Sequence, residues 1–288
     1  MSGEAYRLVR LPNGHCSVHS VAQGETFHPV VGPVAEGESL YVAQLRVGER
    51  AALEPGEFVV WDVGLGAAGN AVAILRAAAR VRCRLRLISF DHTIEPLRFA
   101  LDHAAQLEYP LGYAGRIQAL IDEGRSEWEE PGRRIRWELC QGDFPAWLAS
   151  PASAVLPPPH AVCYDPFSPA RNPAMWTLPL FRRLHGCMSN DRPCAWANYS
   201  RSTLLRVTLL QAGFFVGRGR ATGEKEETTV AANRRELVER PLDTGWLARL
   251  RRSTSAEPLL DPVYRQAPVS AATWEDLQAH PQFLHARR

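Results

Sequence analysis

From residue 58 onward, short runs dense in apolar residues alternate with stretches of helical character, and turn-forming residues separate them. Phe58-Val59-Val60-Trp61-Asp62-Val63 reads as a buried strand, followed by a Gly-rich turn and an Ala-rich helix near 71–80. Leu85-Arg86-Leu87-Ile88-Ser89-Phe90 reads as a second strand, with helices expected near 96–107 and 113–124. Further strands are expected at 135–139, 161–164 and 195–197, helices at 178–185 and 203–212, and a closing pair of strands at 214–216 and 227–231. Repeated strand and helix implies an α/β fold with a mostly parallel sheet covered on both faces.

The two ends follow other patterns. Between residues 6 and 34, apolar pieces are interrupted by Pro12-Asn13-Gly14, Gly24 and Pro29, which predicts short strands or a hairpin. Residues 35–52 are roughly helical, and Glu54-Pro55-Gly56-Glu57 closes them. After Arg251 the pattern fades into Arg, Ser, Thr and Pro, so the end of the chain reads as a partly ordered tail. The expected division is an N-terminal β/helix extension (1–55), a ligand-binding α/β domain (56–235) and a C-terminal tail of unknown role (236–288).

Composition narrows the class. With 288 residues, 45% of them hydrophobic, the chain can bury a core without disulfide or metal staples. Its six cysteines are scattered with no C-x-x-C pair, which points away from a zinc ribbon or redox motif and toward a reducing, cytoplasmic setting. No signal peptide and no membrane-spanning run is expected. A net charge of +2 gives no global argument for nucleic acid.

The candidate chemistry lies at predicted strand ends. Asp62-Val63-Gly64-Leu65-Gly66-Ala67-Ala68-Gly69 follows the first strand and opens a helix; glycines there let the backbone turn sharply and approach a ligand. The spacing also matches dinucleotide sites, and a tight turn without a ligand is the bland alternative. A carboxylate at Asp62 repels a pyrophosphate and suits a ligand bearing ammonium and sulfonium charges, namely S-adenosylmethionine. Asp91 can accept hydrogen bonds from ribose hydroxyls, and Asp143 from an adenine amine beside the apolar wall of Phe144. Asp143 is equally an N-cap. Asp165-Pro166-Phe167-Ser168-Pro169 ends another strand; its carboxylate suits a substrate amine and can aim the nitrogen at a sulfonium methyl. Asp165 is therefore the candidate catalytic residue, and no metal is required.

The chain resembles the methyltransferase component of bacterial tRNA 5-methylaminomethyl-2-thiouridine biosynthesis, including stand-alone forms without the flavin-dependent oxidase domain. Four pieces carry the resemblance, in order. They are Asn13-Gly14-His15 through Gly24-Glu25-Thr26-Phe27-His28 with Glu38-Ser39-Leu40-Tyr41-Val42; the glycine motif to Asn70; Asp165-Pro166-Phe167-Ser168-Pro169 with Asn172-Pro173-Ala174-Met175-Trp176; and Tyr199-Ser200, Ala212-Gly213-Phe214 and Gly223-Glu224-Lys225 through Ala231. The resemblance implies a class I methyltransferase (Rossmann-like) sheet with an antiparallel closing strand. It also implies S-adenosylmethionine as cofactor, and methylation of the aminomethyl nitrogen on a tRNA wobble uridine. A flavin-dependent oxidase on a separate chain is then expected to act upstream. Asp62, Gly64, Gly66, Gly69, Asp91 and Asp143 are assigned to the cofactor, and Pro166, Phe167, Tyr199 and Lys225 to the substrate. Arg171, Arg218, Arg220 and Lys225 are candidate phosphate contacts. The family's usual Glu is Asp62 here, its third glycine falls at Ala68, and its Asp-Ala-Phe is Asp-Pro-Phe. The alternatives are a methyltransferase for a small-molecule or protein amine, a nicotinamide-dependent oxidoreductase, and a catalytically silent binding module.

Overall fold

The structure is a computed structural model that describes residues 5–189, 191–222 and 226–284. Strands β1 (Tyr6–Arg10), β2 (Cys16–Ser20) and β3 (Glu25–Thr26) form a small antiparallel sheet. Helix α1 (Pro33–Gly37), a π-helical turn (Glu38–Ala43) and α2 (Val47–Leu53) lead into β4 (Glu57–Val63), α3 (Gly69–Ala78), β5 (Cys83–Asp91), α4 (Glu95–Asp102), α5 (Ala104–Leu107) and α6 (Ala114–Glu123). There follow β6 (Arg125–Glu130), β7 (Arg133–Gln141), α7 (Phe144–Ala149), β8 (Ala161–Tyr164), α8 (Leu178–Gly186), β9 (Ala195–Asn198), α9 (Thr203–Gln211), β10 (Phe215–Gly219) and β11 (Thr228–Ala232). Helices α10 (Thr244–Leu250), α11 (Ala271–Ala279) and α12 (Pro281–Leu284) complete the described chain.

The main sheet has eight strands in the order β10-β11-β9-β8-β4-β5-β7-β6. Its central pairings, β9 with β8, β8 with β4, β4 with β5 and β5 with β7, are parallel. Strand β11 runs antiparallel to both β9 and β10, as the closing pair was expected to do. Strand β6 was not anticipated: Arg-Ser-Glu-Trp-Glu-Glu lacks an apolar stripe, because it lies on the sheet edge, antiparallel to β7, with most of its side chains in solvent.

The period-2 geometry of a strand divides the core between two faces. Val59, Trp61 and Val63 of β4 pack with Ile88 and Phe90 under α7, α8 and α9, whereas Phe58 and Val60 pack with Leu85 and Leu87 under α2, α3 and α6. Local signals start the covering helices. Asp143, Thr177, Ser202, Asp243 and Ser270 each accept a hydrogen bond from a backbone N–H in the first turn of the helix that follows.

The C-terminal segment departs from the expected partly ordered tail. Leu242, Trp246, Leu247, Leu250, Leu259, Leu277 and Phe283 are buried in the core cluster on the β8–β9 face. The Gln282 side chain reaches the outer edge of β10, accepting from Val216 N at 2.7 Å and donating to Val216 O at 2.9 Å and Leu242 O at 2.8 Å. Few apolar residues, separated by polar and Pro-containing stretches, suffice for this docking, and such sparse anchors leave no periodic trace.

Strands β5 and β7 lie on one side of β4, and β8 and β9 on the other. The direction of winding thus reverses between β4 and β8, and the carboxyl ends of these strands open a crevice where open α/β sheets place ligands. The N-terminal sheet roofs it: Val18 packs with Ala67, Val72, Ala100, Leu107 and Tyr109, and the Tyr109 hydroxyl donates to Ala67 O at 2.6 Å.

Candidate functional site

A cavity of about 660 Å³ occupies the crevice, within the usual range for a small-molecule site. Gly64, Gly66, Asp91, Asp143, Asp165, Pro166, Phe167 and Tyr199 all line it, so the structure brings together most of the residues singled out from sequence.

The glycine turn forms the floor. Gly64 has φ +93°, and a Cβ there would lie 2.7 Å from the Asp165 carbonyl oxygen, so only a bare backbone lets β4 and β8 close up. Gly66, at φ +51°, donates its N–H to Asp91 Oδ2 at 2.9 Å, while Asp91 Oδ1 accepts from Thr93 N at 3.3 Å and lies 3.1 Å from His92 Nδ1. A carboxylate has about four lone-pair positions, so Asp91 is anchored and still able to accept from ligand hydroxyls. Asp143 caps α7, accepting from Ala146 N at 2.7 Å, while its exposed side chain also faces the cavity.

Two assignments are corrected. Strand β4 runs through Val63, as its apolar run predicts, and Asp62 pairs with Ser89 and Cys163 inside the sheet. Its side chain is fully buried, is not among the cavity-lining residues, and accepts from Ser89 Oγ at 2.8 Å; Ser89 Oγ in turn accepts from Trp137 Nε1 at 3.0 Å. Burial, with Oδ1 unpartnered and Asp165 and Asp91 nearby, pushes its pKa up to about 7. Gly69 does not line the cavity either. It opens α3 where a Cβ would lie 2.7 Å from Pro33 Cβ, so its role is close packing. Lys225 lies outside the described residues. Ala68, where the resemblance expects the third glycine, is the non-glycine residue of the turn with positive φ, at φ 64°, ψ 19°.

Asp165 sits on the opposite wall. The carbonyl of Tyr164 just before it accepts from Asn198 Nδ2 at 2.6 Å and from the Tyr41 hydroxyl at 3.2 Å, which fixes the end of β8. Asp165 Oδ2 accepts from Asn70 Nδ2 at 2.6 Å and lies 3.8 Å from His28 Nε2. Burial raises the Asp165 pKa and the charge of Glu36 adds to the rise, against the opposing effects of His28, Asn70 and Tyr41. Beyond it, the Phe167 ring packs against Phe27 at 5.7 Å, Trp176 Nε1 donates to Phe167 O at 2.9 Å, and the Tyr199 hydroxyl donates to Pro166 O at 3.2 Å.

Sequence reasoning gave no role to Glu25, Phe27, His28 and Glu36, all of which line the cavity, nor to Asn70. The available signal was a short run, Glu-Thr-Phe-His, placing an acid, an aromatic and an imidazole together in a turn-rich segment. His160 is buried outside the cavity, accepting from Val59 N at 2.8 Å and lying 3.1 Å from Glu54.

The described lining carries five carboxylates, Glu25, Glu36, Asp91, Asp143 and Asp165, against one arginine, Arg171. Such a surface opposes a pyrophosphate and favours a cation of nucleoside size. These carboxylates offer acceptors for an ammonium group and a ribose diol and negative charge for a sulfonium.

Comparison with known proteins agrees with this chemistry. Residues 122–234 match the family model of S-adenosyl-L-methionine-dependent methyltransferases. Bifunctional tRNA 5-methylaminomethyl-2-thiouridine biosynthesis proteins are similar in sequence. The one from Nitrosospira multiformis is 33% identical over 149 residues, covering 46% of this chain and 24% of that protein; the one from Methylibium petroleiphilum is 30% identical over 239 residues, covering 78% and 34%. This chain thus spans about a third or less of the length of the curated relatives it matches. The crystal structure of MNMC2 from Aquifex aeolicus superposes with a TM-score of 0.69 at 22% identity, over 97% of this chain and 85% of that one, which bears on the fold. The chain is an S-adenosylmethionine-dependent methyltransferase with a class I fold, homologous to the methyltransferase part of the bifunctional tRNA 5-methylaminomethyl-2-thiouridine biosynthesis proteins.

Proposed function

We propose that this methyltransferase acts on the aminomethyl nitrogen of a wobble uridine in tRNA. The observation that carries the reading is the placement of Asp165, fixed by Asn70 at 2.6 Å, on the cavity wall facing the glycine turn. When bound, S-adenosylmethionine supplies an activated methyl group. Asp91 is assigned to its ribose hydroxyls, Asp143 to its adenine amine, and Gly64 and Gly66 to the close backbone approach. Asp165 orients the substrate nitrogen, so that its lone pair lies in line with the donor methyl. Phe27, packed against Phe167, forms with Phe167 and Tyr199 an aromatic wall suited to stacking an extruded base, the usual way single-stranded RNA bases are held.

The names of the relatives supply the substrate class, and the reading carries with it a cytoplasmic location and a flavin-dependent oxidase acting upstream. No described helix is long and apolar enough to cross a membrane. The test is methyl incorporation from labelled S-adenosylmethionine into tRNA bearing the unmethylated aminomethyl group, against fully modified tRNA and a panel of small-molecule and peptide amines. Labelling confined to the wobble uridine of the unmethylated tRNA is expected. Labelling of an amine in the panel, with tRNA untouched, overturns the substrate assignment.

A further inference from the structure

Besides Arg171 and His92, the cavity lining holds an imidazole set among its carboxylates. His28 lies between two of them, Nε2 3.8 Å from Asp165 Oδ2 and Nδ1 3.6 Å from Glu36 Oε2, and the three side chains are only 11%, 16% and 14% exposed. His28 adopts φ 49°, a left-handed conformation uncommon outside glycine, and so enters the cavity from the roof toward the start of α3. Asp62 acts on it electrostatically from inside the sheet, and Tyr41 and Asn70 flank Asp165. Burial pulls the imidazole pKa down, but Glu36, Asp165 and Asp62 together outweigh it and hold the pKa above its ordinary value. A second positive charge in the same cavity competes for the same carboxylates, and so disfavours the imidazolium.

We propose that His28 is a proton-carrying counter-ion that exchanges with the charge of the cofactor. Its imidazolium balances Glu36 and Asp165 before the cofactor binds and sheds its proton to solvent on binding. The neutral imidazole then takes the proton that an ammonium substrate loses before its nitrogen attacks. The balance closes. R–NH3+ gives one proton to His28; the freed lone pair forms the N–C bond while the electrons of the broken C–S bond stay on sulfur. The positive charge passes to the methylated ammonium, and the imidazolium again balances the carboxylates when the neutral thioether leaves. One proton is released per turnover, at cofactor binding.

The inference rests on the cavity being the methyl-donor site, and the test separates the two. Calorimetric titration of the full chain with S-adenosylmethionine, between about pH 6 and 8 in buffers of different ionisation enthalpy, counts the protons released. For the wild type, release of up to one proton is expected, with Kd weakening up to about tenfold per unit of falling pH. S-adenosylhomocysteine, lacking the sulfonium, should release less than half as much. His28→Asn, tolerable at positive φ, should bind the cofactor without proton release and with a Kd nearly independent of pH. His28→Gln serves if melting shows that the first variant is unfolded. Equal release by both ligands, or undiminished release in the variant, overturns the inference while leaving the donor site intact. Failure of the wild type to bind either ligand overturns both.

Discussion

Asn70 Nδ2 donates to Asp165 Oδ2 across 2.6 Å, joining the first turn of α3 to the loop after β8. The two residues are 95 positions apart, and the bond holds the proposed orienting carboxylate over the glycine turn. Asn70→Ala removes a hydrogen bond to a charged group, worth about 1.5–3 kcal/mol. If that energy is expressed in the transition state, kcat falls about tenfold to hundredfold. Asp165 then becomes harder to ionise, so the acid limb of the pH–rate profile moves up. Cofactor affinity should change by less than about threefold, since Asn70 is outside the cavity lining. Asp165→Ala should cost at least about a hundredfold in kcat with affinity again nearly intact. A large loss of affinity with unchanged turnover would sink the assignment.

The glycine turn separates steric need from ligand need. At Gly64 both the φ of +93° and the 2.7 Å approach of the Asp165 carbonyl forbid a Cβ, so Gly64→Ala should lower stability by more than about 2 kcal/mol and weaken the cofactor site as well. Ala68 already bears a methyl at φ 64° with its side chain buried. Ala68→Gly relieves the left-handed strain of about 1–2 kcal/mol but loses a buried methyl and adds freedom to the unfolded chain, so the net change should stay within about 1 kcal/mol. Ala68→Val sets a β-branched residue in that conformation and should cost more than about 2 kcal/mol. Denaturant melts of the three variants, with and without cofactor, check the order.

The sheet was legible in the sequence where it is buried on both faces: β4 and β8 are apolar runs because almost no side chain of them meets water, and β5 becomes one beyond Arg86. Strand β6 escaped because edge exposure removes that stripe, and α10 to α12 because a few separated apolar anchors dock them. Asp91, Asp143 and Asp165 were legible for a related reason, since polar residues at the carboxyl ends of apolar strands must face either solvent or a ligand. The same logic misplaced Asp62, which stands one residue before the strand end and is buried against Ser89 instead of facing the cavity. His28 and Glu36 carry no such mark. They belong to a roof whose position is set by contacts such as Phe27 with Phe167 and Ser168 Oγ with Glu25 at 2.7 Å, which no local pattern encodes.

Buried Asp62 makes stability depend on pH. Its pKa is about 7 in the folded protein and near 3.9 unfolded, so the folded state binds the proton more tightly. Stability from this group is therefore fully present below about pH 4 and is lost as pH rises toward 7. Between pH 5 and 8 the loss is on the order of 2 kcal/mol. Asp62→Asn retains an acceptor for Ser89 and does not titrate, so the difference in unfolding free energy between variant and wild type should move in the variant's favour by that amount over this range. Urea melts of the cofactor-free proteins at the two pH values measure it. A pH-independent difference would show that Asp62 stays ionised in the fold.

Strand β10 lies at one edge of the main sheet, where Arg218 N donates to Arg240 O at 2.8 Å and Leu242 N to Val216 O at 2.9 Å, and Gln282 completes that outer pairing. Its side-chain amide accepts from Val216 N and donates to Val216 O, satisfying both backbone groups of one residue while 94% of Gln282 is hidden from solvent (6% exposed). Unpaired edges invite pairing with another chain, and covering them is one way proteins avoid it. Gln282→Ala leaves the Val216 N–H and the Leu242 carbonyl unmatched in a buried place, while Val216 O keeps the Leu242 N–H at 2.9 Å, at about 1–3 kcal/mol for each group that water cannot reach. A loss of about 2–4 kcal/mol is therefore expected, on the scale of single changes that break buried networks. Gln282→Glu keeps the acceptor for Val216 N but sets a carboxylate against two carbonyls, so it should be no better than alanine at neutral pH and recover as the pH is lowered. Neither change touches the cavity, so cofactor Kd measured below the unfolding transition should be unaltered. Melting with light scattering provides the second readout. If β10 is protected by this residue, the variants should associate at temperatures where the wild type stays monodisperse, and stable, monodisperse variants would mean that α12 covers the edge without help from the Gln282 amide.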